Sequence, residues 1–182
     1  MDKILTNFSE KQIAKAREVK ALIFDVDGVL TDGRITYTEN GDELKSFNVK
    51  DGQIIRFLKE NGIIVGAITG RKSEIVARRS EELKLDFYYQ GTESKQEKYE
   101  QIKKDYSLAD SDVAYIGDDI IDLYILKHAG FSAAPQDALP YVKDQVDFVS
   151  TKNGGEGVLR EIADMILASK GKLEQVVNYY LD

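Results

Sequence analysis

The chain has 182 residues, 42% of them hydrophobic and 31% charged, with a net charge of −7 and no cysteine. That length suits one domain with a sizeable core, and no apolar run reaches the length of a membrane span. The missing cysteines exclude disulfides and thiolate metal sites, and the acidic balance argues against a non-specific nucleic-acid or membrane-surface binder. The N-terminal residues 1–7 lack the apolar core of a signal peptide, so a cytoplasmic protein is expected. An anionic ligand would need a local cluster of cations set against the global field.

In chain order, Ser9 and Gln12 have capping-box spacing and open a helix over 9–19. Residues 21–25 form a short apolar run that reads as a buried strand. Two β-like runs, 34–37 and 44–49, flank Asn40-Gly41, the strongest short hairpin signal, so a flap over about 34–48 is expected beyond the first strand. Asp51 is placed as the cap of a helix running to about residue 60, which Asn61-Gly62 stops. A second buried strand covers 63–68, and Ser73 caps a helix to about 83. Residues 87–89 are a third strand, and Ser94 opens a helix to about 105. A fourth strand over 112–116 ends in Gly117-Asp118-Asp119, and a helix follows it to about 129. Short strands at 131–134 and 147–149 precede the Gly154-Gly155 turn and a helix over about 156–168. The tail, 172–182, carries Leu173, Val176, Val177, Tyr179, Tyr180 and Leu181. Alternating strands and helices predict a doubly wound, mostly parallel α/β sheet over 1–182.

Ligands of such sheets bind beyond the carboxyl ends of the strands. That rule gathers the polar residues. The first strand delivers Asp25 and Asp27, which start on one face because alternate strand residues do. The second delivers Thr69, with Arg71 behind it. Lys95 follows the third, and Asp118, Asp119 and Asp122 follow the fourth. Two acids at the end of a core strand need a reason, since unpaired buried charge is costly. Phosphoryl transfer supplies one. A carboxylate can attack phosphorus, a hydroxyl and an ammonium can hold the moving oxygens, and a second carboxylate can move the proton. Hard oxygen donors also suit Mg²⁺.

Asp25-Val26-Asp27-Gly28-Val29, Thr69-Gly70-Arg71, Lys95 and Gly117-Asp118-Asp119 with Asp122 resemble, in order, the four motifs of the haloacid dehalogenase superfamily. The resemblance implies Asp25 as nucleophile, Asp27 as general acid and base, Thr69 and Lys95 as phosphoryl-binding groups, and Asp25, Asp118 and the Asp27 carbonyl as Mg²⁺ ligands. It leaves open whether Asp119 or Asp122 supports the metal shell. Within that superfamily, residues 25–33, the hairpin, Phe47-Asn48-Val49-Lys50-Asp51-Gly52 and Gly154-Gly155-Glu156-Gly157 resemble the 3-deoxy-D-manno-octulosonate 8-phosphate phosphatase family. Members lack a large cap domain, and their flap hairpins associate in a homotetramer. The short spacing from Asp27 to Thr69 agrees with the missing cap.

The resemblance also implies a substrate that carries a phosphate and a carboxylate, met by Asp27, Asn48, Val49, Lys50, Asp51, Gly52, Arg56, Arg71, Arg79 and Lys95. Arg71 and Arg79 are the expected carboxylate partners, because a guanidinium fork matches that group. A related branch acts on nine-carbon, sialic-type sugar acid 9-phosphates. It carries an acidic residue where Arg71 stands and lacks the Lys50-Asp51-Gly52 run, which favours the eight-carbon substrate of lipopolysaccharide precursor synthesis. Two alternatives belong to other classes. A phospho-receiver module would place its acid pair and its phosphorylated Asp on separate strands, and here Asp-x-Asp comes first. An inactive oligomeric scaffold would not need every chemical group that is present.

Blander readings stand beside these. Thr69 would serve as a turn cap, Lys95 as a surface lysine like Lys98, Arg78 and Arg79 as a solvated helix face, and Asp119 as a helix cap. The single histidine, His128, argues against a histidine relay or zinc site and suits the last turn of a helix. Gly154-Gly155 reads as a tight turn, since no Gly-Lys-Ser/Thr follows. The tail is either frayed or docks on a neighbouring subunit.

Overall fold

A computed structural model describes residues 2–181. Two short helices, α1 (Asp2–Leu5) and α2 (Glu10–Glu18), precede the central strand β1 (Ala21–Phe24). A two-stranded antiparallel hairpin follows, β2 (Thr36–Tyr37) and β3 (Glu43–Leu44). Next come α3 (Val49–Glu60), β4 (Ile64–Ile68), α4 (Glu74–Glu82), β5 (Phe87–Tyr89), α5 (Lys95–Asp105) and β6 (Val113–Ile116). The chain closes with α6 (Leu123–His128), β7 (Phe131–Ala134), α7 (Pro140–Lys143), β8 (Phe148–Val149), α8 (Val158–Ser169) and α9 (Leu173–Asn178).

The six strands outside the hairpin form one parallel sheet in the order β5-β4-β1-β6-β7-β8. Side chains alternate across it. Leu22 and Phe24 of β1 join one core cluster with Val65, Ile116, Leu58 and Ile162, while Ile23 joins the other with Tyr115, Tyr99 and Ile125. A sheet buried on both faces explains the unbroken apolar runs in the sequence. Helices α1, α2 and α3 pack with α8, and α5 packs with α6. The order reverses at β1, whose neighbours are β4 and β6, so the loops after these three strands border one crevice.

Most expected elements form where the periodicity placed them, with their caps at Ser9, Ser73 and Ser94. One cap moves. Asn48, not Asp51, caps α3, through its side chain to Lys50 N, and the helix starts at Val49. Asp51 instead turns its Oδ1 to Arg160 N at 2.8 Å, in the first turn of α8. The N-cap position of that helix is Gly157, which has no side chain to cap it, so Asp51 supplies the missing acceptor from another element. The hairpin strands are shorter than their β-like runs, two residues each. The tail is helical over α9 and packs on α8, with the Tyr180 ring edge-on to Phe57 at 5.9 Å. No helix among the described residues is long and apolar enough to cross a membrane.

Candidate active site

The loop after β1 carries Asp25, Asp27 and Gly28. Gly28 has φ +84, and a Cβ there would lie 2.0 Å from Asp118 Oδ2. Only glycine allows both the backbone turn and the approach of the Asp118 carboxylate. The Gly154-Gly155 turn packs against this loop from behind. Gly155 N donates to Val29 O at 3.0 Å, and a Cβ on Gly154 would lie 2.1 Å from Gly28 O. The turn is structural, as its sequence suggested.

Asp25 is buried. Its Oδ1 accepts from Val26 N at 2.7 Å, and its Oδ2 lies 2.8 Å from Lys95 Nζ. Lys95 is buried too and reaches Asp122 Oδ1 at 2.7 Å. Asp122, with no exposed surface, also takes the Tyr115 hydroxyl at 2.5 Å and the backbone N–H of Asp118 and Asp119 at 3.1 and 3.2 Å. Of the two acids the sequence left open, Asp122 therefore organises the β6 loop. Asp119 accepts from its neighbour Ile120 N at 2.6 Å and faces the Asp122 N–H in a capping box, as the cap of the short turn that follows.

Carboxylate oxygens of Asp25, Asp118 and Asp122 lie within 4.8 Å of one another. One ammonium, Lys95, is shared between Asp25 and Asp122, and Asp118 Oδ1 is buried with no hydrogen-bond partner. Burial, then the Asp25 charge, pushes the Asp118 carboxyl up to about 8. Burial likewise raises Asp25 to about 7, against the pull of Lys95. Burial opposes the Lys95 ammonium, but Asp25 and Asp122 outweigh it and hold its pKa above the ordinary lysine value. Three crowded carboxylates with one ammonium leave negative charge uncompensated, and the partnerless Asp118 Oδ1 beside Asp25 is a fitting hard donor for a divalent cation such as Mg²⁺.

Asp27 lies at the rim with its side chain 21% exposed, and Lys45 of the hairpin is paired with its Oδ1. Thr69 is buried directly after β4, its N–H on Tyr89 O at 2.9 Å. Arg71 Nη2 meets Glu43 Oε1 at 3.0 Å, and its Nη1 is buried without a partner. Arg79 crosses Gly52, where a Cβ would lie 2.6 Å from Nη2, and its guanidinium sits 5.6 Å from the Phe47 ring centroid. Asp51 is on the buried side of the first turn of α3 and faces Arg160, whereas Val49 and Lys50 are exposed. Arg56 lies on the exposed side of α3, paired with Glu60 at 2.6 Å. His128 ends α6, its Nδ1 2.7 Å from Tyr124 O.

Sequence reasoning passed over Tyr115, Glu43 and Lys45. Tyr115 reads as one more core residue of a buried strand, and its hydroxyl partner lies seven residues on. Glu43 and Lys45 do carry a signal: they stand two apart in an extended segment and so share a face.

Fold and site together have the form of the haloacid dehalogenase-like hydrolases, and the sequence profile of that group matches residues 89–162. The 3-deoxy-D-manno-octulosonate 8-phosphate phosphatase of Escherichia coli K12 is 42% identical over 163 residues, 90% of this chain and 87% of that protein. Among solved structures, a probable YrbI family phosphatase from Pseudomonas syringae superposes with a TM-score of 0.93 at 37% identity, covering 96% of this chain and 99% of that one. The 3-deoxy-D-manno-octulosonate 8-phosphate phosphatase of Moraxella catarrhalis, solved with magnesium ion, phosphate ion and KDO, gives 0.90 at 34% identity over 99% of each chain. The chain belongs to the 3-deoxy-D-manno-octulosonate 8-phosphate phosphatase family.

Proposed function

We propose that this chain is a Mg²⁺-dependent phosphoric monoester hydrolase that releases phosphate from 3-deoxy-D-manno-octulosonate 8-phosphate, in lipopolysaccharide precursor synthesis. The observation that carries the reading is the meeting of Asp25, Asp118, Asp122 and Lys95 at the switch point of the sheet. The eight-carbon substrate is favoured over a nine-carbon one by Arg71, by the Lys50-Asp51-Gly52 run, and by what the named relatives act on.

In this reading Asp25, Asp118 and the Asp27 carbonyl hold the cation. When bound, it neutralises the crowded carboxylates and lowers the repulsion between an anionic nucleophile and an anionic phosphate. A carboxylate oxygen of Asp25 attacks phosphorus. The bond from phosphorus to the sugar oxygen breaks, and that oxygen takes a proton from Asp27. Water then attacks the aspartyl phosphate and gives its proton to Asp27, which frees phosphate and restores both carboxyl groups. Thr69 and Lys95 hold the phosphoryl oxygens as charge shifts among them. Arg71 and Arg79 meet the sugar carboxylate; Arg71 Nη1 and Arg79 Nε are buried donors that the protein leaves unsatisfied. Asn48, Val49, Lys50, Gly52 and Arg56 belong to the wall of the sugar site, and Asp51 supports it from below.

One domain over 1–182 without a separate cap leaves the sugar site open on one side. A homotetramer closes it, and Ile35, Tyr37 and Leu44 of the hairpin and Tyr179, Tyr180 and Leu181 of the tail are exposed apolar groups available for such contacts. The protein acts in the cytoplasm.

The test is phosphate release from eight- and nine-carbon keto-sugar acid phosphates, side by side, with Mg²⁺ and with a chelator. Faster turnover of the eight-carbon ester, lost with chelation and in Asp25→Asn, is the expected result. Undiminished release by Asp25→Asn would overturn the mechanism, and a preference for the nine-carbon ester would overturn the substrate.

A further inference from the structure

In the proposed reaction Asp27 must give up a proton in one half and take one back in the other, and its two oxygens are not equivalent. Both contacts that its carboxylate makes fall on Oδ1, one from Lys45 Nζ and one from the Thr31 hydroxyl at 3.5 Å. Lys45 follows β3 in the hairpin, whose apolar side chains Tyr37 and Leu44 are exposed, yet its own side chain is only 1% exposed. Its Nζ also stands 3.6 Å from Glu43 Oε1. Glu43 is held in turn by the Ser73 hydroxyl at 2.6 Å and by Arg71 at 3.0 Å, both in the loop after β4. One line of ion pairs, Arg71–Glu43–Lys45–Asp27, therefore ties the hairpin to the ends of β1 and β4.

Stability alone does not call for a lysine at this point. An ammonium loses hydration when it is covered, and replacing a buried ion pair by apolar groups is often neutral or stabilising. The hairpin gains no core from Lys45, since the neighbouring apolar side chains Tyr37 and Leu44 face solvent. What Lys45 does fix is the orientation of one carboxylate. A charge-assisted hydrogen bond is short and directional, and the one from Lys45 opposes the rotation that would exchange Oδ1 and Oδ2.

We propose that Lys45 is a positioning residue for proton transfer: it pins Oδ1 of Asp27, so that Oδ2 alone passes the proton to the leaving sugar oxygen and receives it from the attacking water. The inference rests on the acid–base role given to Asp27 above. It also gives the hairpin a part in the chemistry of its own chain, separate from any contact between subunits.

The experiment uses the full-length, Mg²⁺-loaded protein and its Lys45→Met, Lys45→Arg and Asp27→Asn variants, with the eight-carbon sugar phosphate and with p-nitrophenyl phosphate. General acid–base catalysis contributes about 10²–10⁴-fold, so loss of orientation in Lys45→Met should lower kcat on the sugar ester by about 10–100-fold, with KM within about 3-fold. Nitrophenolate leaves without a proton, so the first turnover of p-nitrophenyl phosphate should stay near the wild-type rate. Its steady state should fall, because water attack still needs Asp27, and phosphorylated protein should accumulate in acid-quenched samples read by mass spectrometry. Lys45→Arg, which keeps the donor, should recover part of kcat.

A raised KM with unchanged kcat in Lys45→Met would make Lys45 a substrate ligand and overturn the inference. So would equal loss of first turnover and steady state, the mark of a generally disturbed site. Should Met at 45 not yield folded protein, Lys45→Gln keeps a polar end there and carries the same readouts. Asp27→Asn separates the two levels: full turnover by that variant overturns the acid–base reading itself, whereas an impaired Asp27→Asn beside a wild-type-like Lys45→Met overturns only the role of Lys45.

Discussion

Lys95 and Asp122, 27 residues apart in the chain, meet at 2.7 Å in the interior of the protein. The same carboxylate takes the Tyr115 hydroxyl and two backbone N–H groups, so four donors converge on a side chain with no exposed surface. An asparagine cannot replace it, because its amide nitrogen would face donors on whichever side it was turned. Asp122→Asn is expected to destabilise the fold by about 3–5 kcal/mol, the usual cost of breaking a buried pair from one side. Tyr115→Phe removes a donor without stranding an acceptor, and should cost about 1.5–3 kcal/mol. Urea unfolding of both variants checks the ranking. Equal stability of Asp122→Asn and wild type would show that the carboxylate is not the frame of the loop.

Removing the metal should weaken the protein, and by a known route. The Asp118 carboxyl is held near 8 by burial and by Asp25, far above its ordinary value of 3.8. A carboxyl raised in the folded state contributes stability below its unfolded pKa and loses it as pH rises through the folded one. Metal-free protein should therefore lose stability between about pH 4 and 8, and Mg²⁺ should restore it by binding the ionised form. Thermal unfolding at pH 7.5 with and without Mg²⁺ measures the effect. Asp118→Asn should be more stable than wild type without metal and gain little from Mg²⁺; a full Mg²⁺ shift in that variant would remove Asp118 from the metal site.

The sheet was legible because buried parallel strands write themselves as short apolar runs, and β1, β4 and β6 each end in polar residues that have no place in a core. Asp25, Lys95 and Asp118 could be gathered from that rule and from the motif resemblance before any distance was known. The capping residue of α3 was not, because Asn48 and Asp51 are both good N-caps and only the packing of α8 decides between them. Nor was the part played by Lys45: its spacing puts it on one face with Glu43, but its burial depends on how the hairpin folds back over Asp27, a tertiary event. The helix α9 was hidden for a similar reason. Six residues are too few for intrinsic propensity to decide, and its contacts with α8 hold it.

The loop after β1 should tolerate no side chain at position 28. Alanine there meets a positive φ and would place its Cβ 2.0 Å from Asp118 Oδ2. The strain of a left-handed backbone at a non-glycine residue costs on the order of 1–3 kcal/mol, and the displaced carboxylate should weaken Mg²⁺ as well. Gly28→Ala should thus show both a lower unfolding temperature and a Mg²⁺ affinity reduced by at least about tenfold, 1.4 kcal/mol being one decade. Titration calorimetry with Mg²⁺ reads the second, and an unchanged affinity would mean that Asp118 does not sit where the cation binds.

Asp51 is buried in the first turn of α3, with Oδ1 accepting from Arg160 N and Oδ2 without a partner. Burial raises its carboxyl from 3.8 to about 6, against the Arg160 N–H and the charges of Arg160 and Arg79. The folded state thus holds this proton more tightly than the unfolded chain does. Its stabilising effect is complete below about pH 4 and fades as pH rises through 6, with a total on the order of 3 kcal/mol. Asp51→Asn keeps an acceptor for Arg160 N and cannot ionise. Its stability should therefore vary less than that of wild type between about pH 4 and 7, and it should be the more stable protein at neutral pH. The comparison is made by urea unfolding at several pH values with chelator present, so that the metal site contributes equally to both proteins. Parallel curves for the two would show that Asp51 ionises in the folded protein as freely as in water, and that its buried oxygen is hydrated after all.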